Sequence, residues 1–581
     1  MAEEPRSALF GRRFGRHVWR LIRIYWGTRD SVVAFVLLAG AVALELGSVY
    51  GNFGLSDAER RIFNALQQKN GMEFLAAIGI FAAFSAAFVV VSAFRIYLRQ
   101  LVEIRWRRGV TGDYVERWMN ERAYAQVQLH RDAVDNPDQR IAEDVRDFVA
   151  SALGLSLSLL SAVATLVSFG GLLWVVSGDW AVPVGQGHVH IPGFMLWVAL
   201  LYAAFSSWLT HVVGRPLVPL NVDRLRYEAD FRYGLMRFRD NVEVVTLSRG
   251  AALERRVALA RFGNVVRNWW ELIAAQRRLT VFTGFIGQAN GVVPLLVAAP
   301  SFFTGLITLG TIAQVRFAYG QVSGALGWFV FAYQEIARWR ANVERLSGFN
   351  EIMDATAIEC SQTGIRVVHG PASILHLSHL RLDGPDGTTL VDAGDGTVRA
   401  GERVAITGPS GAGKTILLRA IAGIWPFGSG RIDVPAGASM LFVPQLPYLP
   451  VGSLRAVVSY PSPEGAFSDD RIREVLGFLG LGQLGARLDE THPWDQRLSP
   501  HEQQRIAMAR VFLNEPDWVF LDKTTSALDE DMEKRVYDLL HTRLPGVTII
   551  SVAHRPEVAA YHDRRWTITP NARGASSLEA A

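Results

Sequence analysis

The sequence is poor in cysteine, and its surplus of charge of one sign is small. The 581 residues include one cysteine, Cys360, so neither an intramolecular disulfide nor a cysteine-rich metal site is available. The 59 basic residues exceed the 55 acidic ones by four (59 − 55 = 4), a bias too mild to indicate nucleic acid as a partner. Half of the residues are apolar, which excludes a disordered chain. The length exceeds one ordinary domain, so we expect a membrane part together with soluble parts.

Charge is especially scarce in six long stretches of the N-terminal part. Each has about the 20 residues that a helix needs to cross a bilayer, and soluble helices rarely lack a polar face over such a length. We therefore predict six transmembrane helices. Their approximate limits are 31–54, 74–94, 148–176, 194–213, 279–302 and 306–332.

The basic residues between these stretches predict the orientation of the chain in its membrane. Arginines crowd residues 1–30, whereas 177–193 and 297–308 contain neither lysine nor arginine. Because basic loops stay in the cytoplasm, both termini and the connections 95–147 and 214–278 are predicted to be cytoplasmic. We expect a multi-pass membrane protein. No removable signal peptide is expected, since the first 30 residues lack a continuous apolar core.

Two charged residues fall inside the predicted spans. Glu45 and Arg316 are costly in lipid, so each should face the bundle interior or water, which makes both candidates for a substrate or ion path. An internal ion pair, or a position near the end of a tilted span, explains them equally well. Gln314 and Gln321 lie near Arg316 in sequence and favour a polar cavity.

After about Asp354 the pattern changes to short β-rich runs, turns and amphipathic helices, which is typical of an α/β domain. We therefore predict a transmembrane domain over 1–354 and a soluble domain over 355–581.

The soluble domain contains a phosphate-binding loop between a predicted strand, 403–407, and a predicted helix. Backbone N–H groups of such a loop wrap phosphates, its lysine contacts the β- and γ-phosphates, and its threonine ligates Mg²⁺. ATP and Mg²⁺ are therefore the predicted cofactors. The loop consists of Gly408, Pro409, Ser410, Gly411, Ala412, Gly413, Lys414 and Thr415.

Later motifs narrow the choice among nucleotide-binding proteins. Gln445 ends one apolar strand, Asp522 ends another and His554 follows a third, while LSPHEQQRIAMAR occupies 498–510 and SALD occupies 526–529. Their order and spacing resemble the nucleotide-binding domain of ABC transporters. The resemblance implies that Thr415, Gln445 and Asp522 hold Mg²⁺, and that Gln445 and His554 serve catalysis.

The membrane half resembles the SbmA/BacA-like ABC half-transporters, relatives of the peroxisomal fatty-acyl transporters. The runs that carry this resemblance are FNALQQ (63–68), DNPDQRIAED (135–144) and residues 309–346. It implies a six-helix exporter-type fold followed by an α/β ATPase domain. It also implies a homodimer in which the P-loop of one chain and Ser499 and His501 of the other enclose ATP. The implied cargo is peptide, cobalamin-like or another bulky hydrophilic compound, usually moved inward.

Two positions depart from the family pattern. Lys523 stands where a glutamate would polarise the attacking water, and His501 stands where a glycine would approach the γ-phosphate. A lysine, with an ordinary pKa of about 10.4, cannot accept a proton at neutral pH. We therefore predict ATP binding with slow hydrolysis. Lys523 as an introduced substitution is the alternative.

Three functions follow from these motifs. The first is ATP-driven transport. The second is an ATP-gated membrane switch or receptor, supported by Lys523 and His501. The third is proton-coupled transport with ATP as a gate, for which Glu45 is the candidate residue. Soluble DNA-repair ATPases are excluded by the six predicted spans.

Overall fold

The computed structural model describes residues 12–119, 124, 136–177, 181–184, 187–362, 364–370, 373–553, 555–570 and 576–580. The chain divides into two compact units. One comprises Met1–Val115 and Asn136–Phe349, and the other comprises Glu116–Asp135 and Asn350–Ala581. The predicted domain boundary at residue 354 stays a prediction, because the helix Leu309–Gln362 runs through it without interruption.

The first unit is built from long helices. The helix Val145–Ser177 is preceded by a turn of helix, Pro137–Gln139, and a π-helical segment, Arg140–Asp144. A small hairpin of β1 (Ala181–Val184) and β2 (Gly187–His190) follows that helix. The helices are α1 (Arg12–Trp26), α2 (Ser31–Gln67), α3 (Gly71–Met119), α4 (Val145–Ser177), α5 (Phe194–Gly214), α6 (Leu217–Asp240), α7 (Val242–Leu247), α8 (Ala251–Phe303) and α9 (Leu309–Gln362).

Five helical segments of the described chain are long and apolar enough to cross a membrane: Ser31–Gln67, Gly71–Met119, Pro137–Ser177, Phe194–Asp240 and Ala251–Phe303. They contain five of the six predicted spans. The sixth lies in α9, which is a helix of 54 residues but is not among the five. The polar side chains of Gln314, Arg316 and Gln321 explain this, because they lower the mean hydropathy of its first half.

Small side chains allow the membrane helices to approach one another closely. Ala199 of α5, Ala298 of α8 and Ala318 of α9 are all fully buried in one cluster with Phe169 of α4 and Tyr319 of α9. In a bilayer, where no hydrophobic force drives helices together, such close packing supplies the attraction.

The second unit is an α/β domain built on a ten-stranded mixed sheet. Its order is β3-β7-β4-β5-β14-β13-β6-β12-β11-β8, and β13, β6, β12, β11 and β8 run parallel. The pair β9 (Gly452–Ser453) and β10 (Thr491–His492) stands apart. The strands of the large sheet are β3 (Ile365–Gly370), β4 (Ile374–Asp383), β5 (Thr389–Arg399), β6 (Arg403–Thr407), β7 (Gly428–Pro435), β8 (Met440–Val443), β11 (Trp518–Asp522), β12 (Thr548–Val552), β13 (Arg564–Pro570) and β14 (Ser576–Ala580).

Helices and two hydrophobic cores cover this sheet. Alternate residues of β11 point to opposite faces, so Val519 and Leu521 join one core whereas Trp518 and Phe520 join the other. The helices are α10 (Lys414–Ile421), α11 (Leu454–Ser459), α12 (Asp469–Phe478), α13 (Trp494–Arg497), α14 (Pro500–Asn514), α15 (Glu530–Arg543) and α16 (Pro556–Ala559), with a 3-10 turn at Gly482–Ala486.

Candidate functional site

The predicted nucleotide-binding residues meet at one edge of the parallel sheet. In the register, Ile406 of β6 pairs with Val552 of β12, Val552 pairs with Asp522 of β11, and Leu521 pairs with Val443 of β8. The carboxyl ends of these four strands are therefore level, which is where open α/β sheets bind their ligands. His554, the residue predicted to follow β12, lies outside the described residues.

The loop after β6 has the backbone that wraps phosphate. Gly408, Gly411 and Gly413 have φ angles of 140°, 83° and 97°, which residues with a side chain rarely adopt. A Cβ added at Gly408 would collide with the carbonyl oxygen of Ile568, and one at Gly413 would collide with Val391. Glycine is therefore required at both positions by conformation and by space.

Lys414 begins α10 with its ammonium folded into this loop. The side chain is 4% exposed, and its Nζ donates to the carbonyl oxygens of Gly408 and Pro409, each at 2.7 Å. Burial lowers the pKa of Lys414 below its ordinary value, the positive charge of Lys523 adds to this, and Asp522 opposes it. An anion bound at the loop would offset both the burial of Lys414 and the positive charge of Lys523, as expected of a phosphate site.

Two of the three predicted magnesium ligands, Thr415 and Asp522, are joined by a hydrogen bond. The Thr415 hydroxyl donates to Oδ1 of Asp522 at 3.0 Å. A hydroxyl and a carboxylate are the hard oxygen ligands that Mg²⁺ prefers, and the ion usually completes its shell with phosphate and water. In the described part of the chain no three His, Cys, Asp or Glu side chains form a metal cluster. The pair thus fits an ion that arrives with a nucleotide.

Lys523 occupies the strand end in a conformation that is uncommon for a residue with a side chain. Its φ is 52°, in the left-handed region. Its carbonyl accepts from the Ser526 amide at 3.0 Å, and the next residue, Thr524, is buried and donates its hydroxyl to the Val443 carbonyl at 2.8 Å. The neighbours therefore fix Lys523 beside Asp522. The position that the family pattern assigns to a base carries a cation.

The helix α14 presents the LSPHE motif at its N-terminus through a capping box. The Ser499 hydroxyl accepts from the Glu502 amide at 3.3 Å, and Oε2 of Glu502 accepts from the Ser499 amide at 2.9 Å. The Ser499 amide holds the pKa of Glu502 below its ordinary value, although burial opposes this. Ser499 and His501 are exposed at the positive end of the helix dipole, an end that favours the phosphate of a nucleotide.

Gln504 connects three segments of the site, and the sequence did not single it out. It is 3% exposed, its Nε2 donates to the Gln445 carbonyl at 3.2 Å, and its Oε1 accepts from the Ala527 amide at 3.0 Å. Gln445 itself has an exposed side chain after β8. No spacing rule predicts Gln504, because both of its partners are backbone atoms of distant segments.

The two charged residues predicted for a substrate path are not brought together. Glu45 is 7% exposed and accepts from Arg95 Nη1 at 3.1 Å, whereas Arg316 donates to Glu59 at 3.0 Å. Arg316 is not among the described residues that line the cavity beside Glu45. That cavity, of about 550 Å³, has a mixed lining, whose polar members are Glu45, Arg95, Arg99, Ser158, Ser161, Thr165 and Gln321.

Two family models and several known proteins match this chain. The models are "ABC transporter transmembrane region 2", over residues 21–303, and "ABC transporter", over residues 391–526. The inner membrane ABC transporter ATP-binding protein YddA of Escherichia coli is 32% identical over 93% of this chain and 94% of its own length.

Two eukaryotic relatives and one solved structure extend the comparison. The chloroplastic ABC transporter D family member 2 of Arabidopsis thaliana is 30% identical, covering 93% of this chain and 84% of its own. The human lysosomal cobalamin transporter ABCD4 is 25% identical, with 81% of each chain covered. A bacterial Atm1-family ABC exporter with ATP bound superimposes with a TM-score of 0.69 over 94% of both chains, at 18% identity, which confirms the exporter-type fold.

Proposed function

The chain belongs to the ABC transporter family, as a half-transporter in which a membrane domain is fused to an ATPase domain, and from this premise we propose how it uses ATP. ATP hydrolysis in this family is coupled to transport across the membrane. In this chain we propose that ATP binds normally and is hydrolysed slowly. The observation that carries the proposal is Lys523, whose backbone is held next to Asp522 and whose charge acts on Lys414, at the position where the family has a glutamate.

Binding is supported by the loop and its two oxygen ligands. Lys414 holds its ammonium inside the loop, on the carbonyls of Gly408 and Pro409, where a phosphate oxygen can be added to its acceptors. Thr415 and Asp522, with Gln445 added by the family pattern, would hold Mg²⁺. That ion would supply positive charge to the phosphates of the nucleotide.

Slow hydrolysis is supported by the chemistry of the two departures. A carboxylate at position 523 could orient the attacking water and accept its proton, whereas the ammonium of Lys523 cannot accept a proton. A phosphate nearby stabilises the charged form of lysine further. His501 adds a side chain at the exposed end of α14, where the family has only a backbone.

We propose that the working unit is a homodimer in a bacterial inner membrane, with both termini in the cytoplasm. Each nucleotide would lie between the P-loop of one chain and Ser499 and His501 of the other. Both sites of a homodimer would then combine Lys523 with His501, so both would turn over slowly. No nucleic acid is involved.

The proposed cargo is a peptide or another bulky hydrophilic compound, moved inward as in the SbmA/BacA-like branch. The polar cavity in the membrane unit supports this, since Arg99, Ser158, Ser161 and Thr165 offer hydrogen bonds to a polar cargo. The relative named as a cobalamin transporter makes cobalamin-like compounds a second cargo to test.

Uptake into proteoliposomes tests this function. The full chain is reconstituted, labelled peptides and cobalamin are offered on one side, and ATP is supplied inside or outside. We expect slow accumulation that requires ATP and is lost in Lys414→Ala. If neither class of compound accumulates in liposomes that bind ATP, the cargo assignment is wrong.

An ATP-gated switch is the second candidate, favoured by the same Lys523 and His501. It predicts that nucleotide binding changes conformation while Lys523→Glu, which restores the carboxylate, confers no cargo uptake. A proton-coupled transporter is the third, and would require uptake to collapse with an uncoupler at constant ATP. Glu45, the candidate proton carrier of that mechanism, is paired with Arg95 in this structure.

A further inference from the structure

A second cavity of the membrane unit has apolar and aromatic walls. It measures about 1250 Å³ and lies between α1, α2, α3, α4 and α9. Arg23 carries the only charge among the described residues that line it. Five of the 16 tryptophans of the chain take part in its wall, namely Trp19, Trp26, Trp106, Trp328 and Trp339.

A chain of ring contacts fixes one side of this aromatic cavity. Trp26 packs on Phe35 at 4.7 Å and on Trp106 at 5.6 Å between ring centroids. Trp106 continues to Phe148 at 5.7 Å, and Phe148 stacks on Trp339 at 6.4 Å. Since each contact joins a different pair of helices, the wall is held by α1, α2, α3, α4 and α9 together.

One end of the aromatic cavity is strongly basic. The amphipathic helix α1 buries Leu21 and Tyr25 against the unit and exposes its arginines. A groove beside this helix, with a volume of about 830 Å³, shares Trp19 and Arg23 with the aromatic cavity. The described residues that line this groove are Gly15, Arg16, Trp19, Arg20, Arg23 and Ile24.

This juxtaposition has the chemistry of an amphiphile with a negative headgroup. Arg16, Arg20 and Arg23 are spaced at i, i+4 and i+7, so they share one face of α1. A basic amphipathic helix next to a membrane span lies at the level of the lipid headgroups. The aromatic cavity beside it is large enough for acyl chains, and the remainder of its described lining is apolar apart from Ser156, the Tyr333 hydroxyl and the indole N–H groups.

We propose that this site binds an anionic phospholipid of the surrounding bilayer, with its headgroup on Arg16 and Arg23 and an acyl chain in the aromatic cavity. Charge complementarity selects this occupant, because a zwitterionic lipid would bring an ammonium group to a surface that is already cationic. The bound lipid would connect α1 to the four helices that form the cavity wall. The site shares no residue with the nucleotide site, and its test does not require ATP hydrolysis.

Quenching of tryptophan fluorescence by brominated lipid tests the proposal. The full chain is reconstituted in phosphatidylcholine vesicles that contain the same fraction of either dibrominated phosphatidylglycerol or dibrominated phosphatidylcholine. We expect stronger quenching by the anionic lipid, with an apparent affinity at least about fivefold higher, the ratio that corresponds to about 1 kcal/mol for one basic side chain near a lipid surface. Trp328→Phe should reduce the quenched emission, since Trp328 lines the cavity.

A matched pair of variants decides whether α1 makes the selection. Arg16→Gln/Arg23→Gln should abolish the preference for the anionic lipid. Arg13→Gln/Arg29→Gln removes the same charge from exposed positions outside the lining and should keep it. Equal quenching by the two lipids in the unmodified protein, or equal loss in both variants, would overturn the proposal.

Discussion

Lys414 of the nucleotide-binding unit and Glu45 of the membrane unit are both charged and less than 8% exposed, yet they are stabilised differently. Lys414 donates to two backbone carbonyls, which are neutral, whereas Glu45 accepts from the oppositely charged Arg95. Near Lys414 the charges of Asp522 and Lys523 oppose each other, so its burial is compensated incompletely, whereas a charge in a close ion pair is largely neutralised. The difference indicates that the loop around Lys414 favours an added anion and that the surroundings of Glu45 do not require a ligand.

Removal of the lysine should have the largest effect. In Lys414→Ala the phosphates lose their main cationic partner, so we expect affinity for ATP to fall by at least about 100-fold, since a charge-assisted bond in a buried site contributes about 3 kcal/mol. Binding of a fluorescent ATP analogue measures this. Lys534→Ala removes an exposed lysine of α15 and should leave affinity unchanged. Equal affinity in all three proteins would show that the loop does not depend on Lys414.

Disruption of the membrane ion pair should affect stability and leave nucleotide binding intact. Glu45→Gln leaves Arg95 without its carboxylate, and we expect a loss of about 1–3 kcal/mol, less than for a fully buried pair because Arg95 is 32% exposed. Thermal unfolding in detergent measures this, and a double-mutant cycle with Arg95→Gln isolates the coupling. If the single and double changes are simply additive, the two side chains do not compensate each other.

Gln504 offers a test within the nucleotide-binding unit. Gln504→Ala would leave the Ala527 amide without its acceptor and the Gln445 carbonyl without its donor, at a cost of about 1–2 kcal/mol. Because those two segments flank the site, we expect the rate of ATP hydrolysis to fall even at temperatures where the variant is still folded. The exposed Gln496→Ala serves as the control. A loss of stability with no change in the rate would make Gln504 a purely structural residue.

The capping box at Ser499 should produce the smallest change. Ser499→Ala removes the side-chain acceptor of the cap, and such caps contribute about 1 kcal/mol. The Ser499 amide and, at 2.8 Å, the Ser499 hydroxyl both donate to Glu502 and lower its folded-state pKa; the part due to the hydroxyl is present above the ordinary pKa of a glutamate and is lost as the pH falls through the folded value. Unfolding at pH 7 and pH 4 should therefore show a larger difference between the two proteins at pH 7. A difference that is the same at both pH values would contradict this.

The two units also differ in how much of them the sequence predicts. In the nucleotide-binding unit the strand before Gly408, the helix that begins at Lys414 and the strand that ends at Asp522 all follow from local patterns, and the structure contains each of them. Gln504 could not be predicted, because its role depends on which backbone atoms the fold brings to it.

In the membrane unit, local composition predicts helices but not which side chains meet. Arg316 is predicted either to face a substrate path or to form an internal ion pair, and the composition does not identify its partner, Glu59, because that contact depends on packing between helices that are distant in sequence. The sequence does not predict the wall formed by Trp26, Trp106 and Trp339 for the same reason, because these residues lie on three different helices.

Lys523 is inferred to limit the chemical step of ATP hydrolysis. Single-turnover hydrolysis of bound ATP should be compared in the unmodified chain, in Lys523→Glu and in Lys534→Glu, which makes the same charge change at an exposed position of α15. We expect Lys523→Glu to hydrolyse bound ATP about 100-fold faster or more, the usual contribution of a positioned base, and Lys534→Glu to match the unmodified chain. Equal single-turnover rates in all three, at equal occupancy by ATP, would contradict the account.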